Sequence, residues 1–202
     1  MLDRRASQLI GPALVAVAKR LHAWGVGADS ITCVGFGLGL AAWLAIVFGY
    51  FGPALGLLLI SRLCDGIDGA LARLTQATDS GGFLDICLDF LYYALIVLAF
   101  AVHNPETNAL AAAVLLGSFI GTGSSFLAFA ALAQKRHIAH ELPNKSIYFL
   151  GGLTEATETL LVFAAMCIWP EHFAKLAYGF ALLCVITTFT RIHWGYNRLK
   201  QP

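Results

Sequence analysis

The chain has 202 residues, of which 58% are hydrophobic and only 12% charged, with a mean hydropathy of +0.74. Such a composition excludes an ordinary soluble domain and indicates an integral membrane protein. A formal net charge of +1 says little about partners, and no nucleic-acid binding is expected. Taken in chain order, Met1 to Gln8 run into a mixed polar and apolar stretch without a cleavage-site pattern, so no signal peptide is expected. Ile10, Leu14, Val17, Leu21 and Trp24 then recur at spacings of four and three, with Lys19 opposite. This periodicity predicts an amphipathic helix over 9–24 in the cytoplasmic interface, with Trp24 at headgroup level and Pro12 in the first turn. A helix crosses the roughly 30 Å hydrocarbon core with about 20 apolar residues. Six stretches qualify: 31–50, 53–73, 82–102, 108–133, 148–169 and 173–195. The expected fold is therefore all-α, with six transmembrane helices, one interfacial helix and no second domain.

Basic residues fix the expected orientation. With both termini inside, 12 of the 13 Lys and Arg residues fall toward the cytoplasm, Arg62, Arg73 and Arg191 among them, and only Lys175 falls outside. Four aspartates, Asp65, Asp68, Asp85 and Asp89, then lie in the inner half of the membrane. Ionised side chains in hydrocarbon are costly, so such acids face a cavity, a metal or a pathway. Asp65 and Asp68 are i,i+3 and Asp85 and Asp89 are i,i+4, so each pair projects from one helix face. Thr75 to Gly82 has the composition of a turn that folds these two helices together. The two pairs can then meet and hold a divalent metal. Gly69 and Ala72 share the acidic face and leave room for a bulky ligand. Tyr92 follows on the face of Asp85 and Asp89, either orienting a carboxylate or simply packing.

Further along, Gly117, Gly121 and Gly123 let helices approach closely, within one chain or between two copies. Glu155 and Glu158 form another i,i+3 acidic pair, read either as an ion pair with Arg191 or as the lining of a substrate pocket. Cys33, Cys64, Cys87, Cys167 and Cys184 lie in predicted spans without metal-ligand spacing and are read as packing residues. His137 and His140 look solvated, with no spacing that suggests zinc.

The motif Asp65-Gly-Ile-Asp68-Gly69-Ala-Leu-Ala72-Arg73, followed by Gly81-Gly-Phe-Leu-Asp85-Ile-Cys-Leu-Asp89, closely resembles the signature of the CDP-alcohol phosphotransferases, also called CDP-alcohol phosphatidyltransferases. That pattern reads D-x-x-D-G-x-x-A-R, eight residues, G-x-x-x-D-x-x-x-D. Here seven residues separate Arg73 from Gly81, so the turn is one shorter. Where relatives often carry P-N-x-L-T, this chain has Ala28-Asp29-Ser30-Ile31-Thr32; Asp29 also reads as an N-cap for the first span. The resemblance implies a bacterial inner-membrane enzyme of phospholipid synthesis, acting as a homodimer with its site on the cytoplasmic side. Asp65, Asp68, Asp85 and Asp89 are the implied metal-site acids, and Asp89 is also the implied general base. Thr32, Gly69, Ala72, Arg73 and Gly81 are implied CDP contacts. Two Mg²⁺ or Mn²⁺ ions per site would neutralise the pyrophosphate of the donor.

The expected reaction is transfer of a phosphatidyl group from CDP-diacylglycerol to a small alcohol, with release of CMP. Lys135, Arg136 and Arg191, or Lys145, suit a phosphorylated acceptor, whereas Glu155 and Glu158 suit an amine. Transfer of a CDP-linked headgroup to a lipid alcohol is the alternative within the family. A cation-coupled transporter explains buried acids and glycines, but not why the acids gather at a single inner hairpin. A catalytically silent scaffold would not need every motif carboxylate.

Overall fold

The long apolar runs among the described residues fold as helices, because in lipid a backbone must satisfy its own hydrogen bonds. A computed structural model describes residues 2–136 and 153–200, and side chains from Ile10 within them. Its elements are α1 (Leu2–Ala23), α2 (Ala28–Val47), α3 (Phe51–Leu74), α4 (Asp79–His103), α5 (Pro105–Lys135), α6 (Ala156–Ile168), a single 3-10 turn (Pro170–His172) and α7 (Phe173–Lys200). Among the described residues there is no strand. Among the described residues four segments are long and apolar enough to cross a membrane: α2, α4, α5 and the 3-10 turn with α7. Large side chains such as Leu110, Ile120 and Phe189 point outward on these helices, as a lipid-facing surface requires.

Several boundaries differ from those expected. Pro12 sits inside α1 rather than in its first turn, since the helix already begins at Leu2. The packed face of α1 is Leu14, Val15 and Ala18 against Ala70 and Leu71 of α3, while Ile10, Val17 and Trp24 stay exposed. Asp29 does not cap α2. Gly27 takes the N-cap position with extended backbone, leaving Asp29 in the first turn. The turn after α3 is only residues 75–78, because the Thr78 side chain accepts the Gly81 N–H at 3.1 Å and starts α4 at Asp79. At α3, the length suffices for a span, but Arg62, Asp65, Asp68 and Arg73 interrupt its apolar character. The fifth expected span, 148–169, lies partly outside the described residues, and its helix begins only at Ala156. Glu155 and Glu158 form a capping box there, with the Glu155 N–H donating to Glu158 Oε2 at 3.2 Å.

The core lies between α2, α3, α4, α5, α6 and α7, centred on Leu58, Tyr92, Phe100, Leu115, Phe163 and Phe173. Phe100 and Phe173 stack at 4.7 Å between ring centres. Two of the three glycines on α5 pack within the chain: Gly121 faces Thr188 of α7, and Gly123 faces the Phe90 ring of α4, whereas a Cβ at Gly117 would meet nothing within 4 Å. A Cβ at Gly123 would overlap that ring. Gly123→Ala is therefore expected to destabilise the fold by about 1–3 kcal/mol through overpacking. Gly56→Ala on α3, where a Cβ meets nothing within 4 Å, should instead stabilise by about 0.5–1 kcal/mol through helix propensity. Thermal unfolding of both variants in one detergent checks the opposed signs.

Candidate active site

Close approach of α2, α3 and α4 builds the site. Gly35 of α2 lets Cys64 of α3 come near, since a Cβ there would lie 3.0 Å from the Cys64 Cβ. The buried Ser61 hydroxyl donates to the Gly35 carbonyl at 2.7 Å and ties the same two helices. At Gly39 a Cβ would lie 2.5 Å from the Tyr92 ring, so only glycine leaves the notch that this ring of α4 enters. Short 75–78 then brings the last turns of α3 beside the first turns of α4.

Asp65, Asp68 and Asp85 converge as expected, each offering a carboxylate oxygen within 4.8 Å of the others. Asp68 is only 4% exposed, and its Oδ2 has no hydrogen-bond partner among the described residues. A buried carboxylate oxygen without a donor is expensive, and three carboxylates this close repel one another. A hard divalent cation removes both costs, and an all-oxygen donor set suits Mg²⁺ or Mn²⁺. The residues present fit a metal.

Asp89 stands beside this triad, not in it. Its Oδ1 accepts a 2.6 Å hydrogen bond from Arg62 Nη1, which also lies 3.5 Å from Asp65 Oδ1. Sequence reading counted Arg62 only as an orienting charge and missed this contact. The i,i+3 spacing of Arg62 and Asp65 was the available signal. Tyr92 bears on the carboxylates indirectly: the Arg62 guanidinium lies over its ring at 3.9 Å, with Tyr93 at 5.7 Å.

The other expected contacts divide. Thr32 lines the same polar cavity as Asp65, Asp68, Asp85 and Asp89. The Arg73 guanidinium folds back over Gly69, where a Cβ would lie 3.3 Å from its Nη1. Ala72 is half-buried on the last turn of α3. Gly81 lies against Thr78 and Asp29, with Asp29 Oδ1 2.9 Å from where its Cβ would be. Asp29 thus reaches the positive end of α4 instead of capping its own helix.

A second, mostly apolar groove of about 720 Å³ runs between α4, α5, α6 and α7. Asp89 lines both it and the polar cavity. Glu155 and Arg191 both line the groove. Arg191 is buried, donates from Nη1 to the Thr122 carbonyl at 3.2 Å and sits 5.7 Å from the Phe126 ring. Glu158 is turned to the α6 cap, and the groove lining does not include it, Lys135 or Arg136. Lys135 is exposed at the end of α5, and Arg136 Nη1 donates to the Leu199 carbonyl. His137, His140 and Lys145 lie outside the described residues.

Residues 26–190 match a family model described as CDP-alcohol phosphatidyltransferase. The chain is 51% identical, over all of its length and 98% of the relative, to the inner membrane protein YnjF of Escherichia coli. It is 26% identical over 179 residues, 86% of this chain and 85% of the relative, to the archaetidylinositol phosphate synthase of Methanothermobacter thermautotrophicus. The fold is that of the Mycobacterium tuberculosis phosphatidylinositol phosphate synthase PgsA1, with a TM-score of 0.71 at 20% identity over 91% of this chain and 93% of that one. PgsA1 has been solved with CDP-DAG bound and, separately, in complex with manganese and citrate.

Proposed function

Because the chain belongs to the CDP-alcohol phosphatidyltransferase family, we propose that it transfers the phosphatidyl group of CDP-diacylglycerol to a small alcohol, releasing CMP. One observation carries this reading beyond the family. Asp89, held by Arg62, lies where the three-aspartate cavity meets the apolar groove, the junction at which an acceptor hydroxyl would reach a donor phosphate. Asp65, Asp68 and Asp85 would hold Mg²⁺ or Mn²⁺, two ions in our reading, with Asp89 alongside. When bound, the metal supplies neutralisation of the pyrophosphate charge. Thr32, Gly69, Ala72 and Gly81 give the nucleotide close access, and Arg73 offers fixed positive charge to its phosphates. Asp89 accepts the proton of the acceptor hydroxyl. Arg191 and Glu155 orient the acceptor within the groove.

The E. coli relative is an inner membrane protein, and the same location suits this chain. We further take α3 and α6 as the second and fifth of six spans, in a bundle with both termini and the site at the cytoplasmic face, α1 lying in the interface and two copies forming a dimer. The balance of basic residues supports that orientation.

One observation favours the reverse transfer, from a CDP-linked headgroup to a lipid alcohol: the groove that reaches Asp89 is mostly apolar. CMP release by purified protein in detergent, with Mg²⁺ or Mn²⁺, decides between them. CDP-diacylglycerol with a panel of water-soluble alcohols should give acceptor-dependent release. Release only from a CDP-linked headgroup with diacylglycerol would overturn phosphatidyl transfer in favour of the reverse reaction.

A further inference from the structure

Among the described residues, Arg62 is the one cation in the polar cavity lining, beside four carboxylates. It is nearly buried, its side chain 12% exposed, and it donates to Asp89 Oδ1 at 2.6 Å. Its place is set by three helices. Gly39 of α2 leaves the notch for the Tyr92 ring, the buried Tyr92 of α4 carries the guanidinium on its face at 3.9 Å, and Arg62 of α3 reaches back to Asp89, one turn of α4 before Tyr92. The guanidinium meets the face of the Tyr92 ring, so the ring face is what supports Arg62.

We infer that Arg62, seated on Tyr92, is a positioning residue that aims the Asp89 carboxylate at the junction of the polar cavity and the apolar groove. The inference rests on the proposed transferase reading. Asp89 is 30% exposed and sits beside three other carboxylates. Without a fixed counter-charge it would swing away from them, or be drawn to the metal that Asp65, Asp68 and Asp85 fit. Arg62 occupies Oδ1, and the described residues place no hydrogen bond on Oδ2, which is left to take a proton from an acceptor. A guanidinium suits this task better than an ammonium: its one nitrogen Nη1 reaches Asp89 and lies 3.5 Å from Asp65 while the planar group stacks on an aromatic face, which a lysine ammonium cannot do.

The test compares Arg62→Ala, Arg62→Lys, Tyr92→Phe and Tyr92→Leu with the wild type in CMP release, alongside Mn²⁺ binding and CDP binding measured by calorimetry. A misplaced base costs on the order of 100-fold in kcat. Arg62→Ala and Tyr92→Leu should lose about that much while KM for the donor, Mn²⁺ affinity and CDP affinity stay within about threefold. Arg62→Lys should recover only part, and Tyr92→Phe should match the wild type. Arg62→Ala turning over within about twofold of wild type would overturn the inference, as would equal losses in kcat and Mn²⁺ affinity. Should Arg62→Ala fail to fold, the tyrosine pair decides: equal kcat for Tyr92→Phe and Tyr92→Leu would overturn it. A wild type that releases no CMP with any donor or acceptor refutes the transferase reading, and with it this one, whereas an active wild type isolates Arg62.

Discussion

Asp89→Asn is expected to lower kcat for CMP release by about 1,000-fold, within the range contributed by a general base, while leaving CDP-lipid affinity within a few fold. The amide is nearly isosteric, and its carbonyl oxygen can still accept the 2.6 Å hydrogen bond from Arg62. What is lost is the negative charge and the ability to take a proton. A change confined to kcat marks an interaction needed in the transition state and not for binding. Asp89→Ala is a poorer test, because it leaves the guanidinium of Arg62 in a largely buried site without its partner. Breaking a buried pair costs roughly 3–5 kcal/mol, and the partial exposure of Asp89 brings the expected loss nearer 2 kcal/mol. The alanine variant would therefore mix lost folding with lost chemistry. Binding of the CDP-lipid lost in proportion to turnover in Asp89→Asn would remove Asp89 from the role of base and make it a substrate contact.

The same site shows which features a sequence discloses. Asp65, Asp68 and Asp85 are legible because two helical spacings and one short turn suffice to bring them together. Helix spacing gives faces but not the rotation between helices, so whether Asp89 joined the other three could not be read; the structure turns it to Arg62. Arg62 itself was hidden by its second role, since any basic residue near an inner helix end also satisfies the charge bias of membrane proteins. The capping role of Glu155 and Glu158 was hidden for another reason. A span drawn from 148 puts both acids in mid-helix, where a carboxylate needs a counter-ion, but the helix starts at Ala156 and makes them its N-cap and third residue. A hydropathy window senses apolar content and is blind to caps. The groove shared by Asp89, Glu155 and Arg191 was out of reach, because it depends on how α4, α5, α6 and α7 meet.

Asp68→Asn should invert the effect of metal on stability. In the metal-free protein the carboxylate of Asp68 is 4% exposed, lacks a partner for Oδ2 and stands close to Asp65 and Asp85. Replacing it with a neutral amide removes like-charge repulsion and the cost of a buried ion, so in chelator the variant is expected to melt above the wild type. Manganese reverses the order. Loss of groups that merely support a ligand costs 10–100-fold in metal affinity, and loss of a ligand itself should cost about 100-fold or more. At a concentration 100 times the wild-type Kd, binding stabilises the wild type by about 2.7 kcal/mol. A variant with 100-fold weaker affinity gains only about 0.4 kcal/mol under the same conditions. The difference, roughly 2 kcal/mol, exceeds what most surface substitutions produce. Melting curves of both proteins in chelator and in Mn²⁺ read the crossing directly, without any turnover assay. Equal Mn²⁺-induced shifts would mean that Asp68 does not ligate the metal, and the buried Oδ2 would then require another donor.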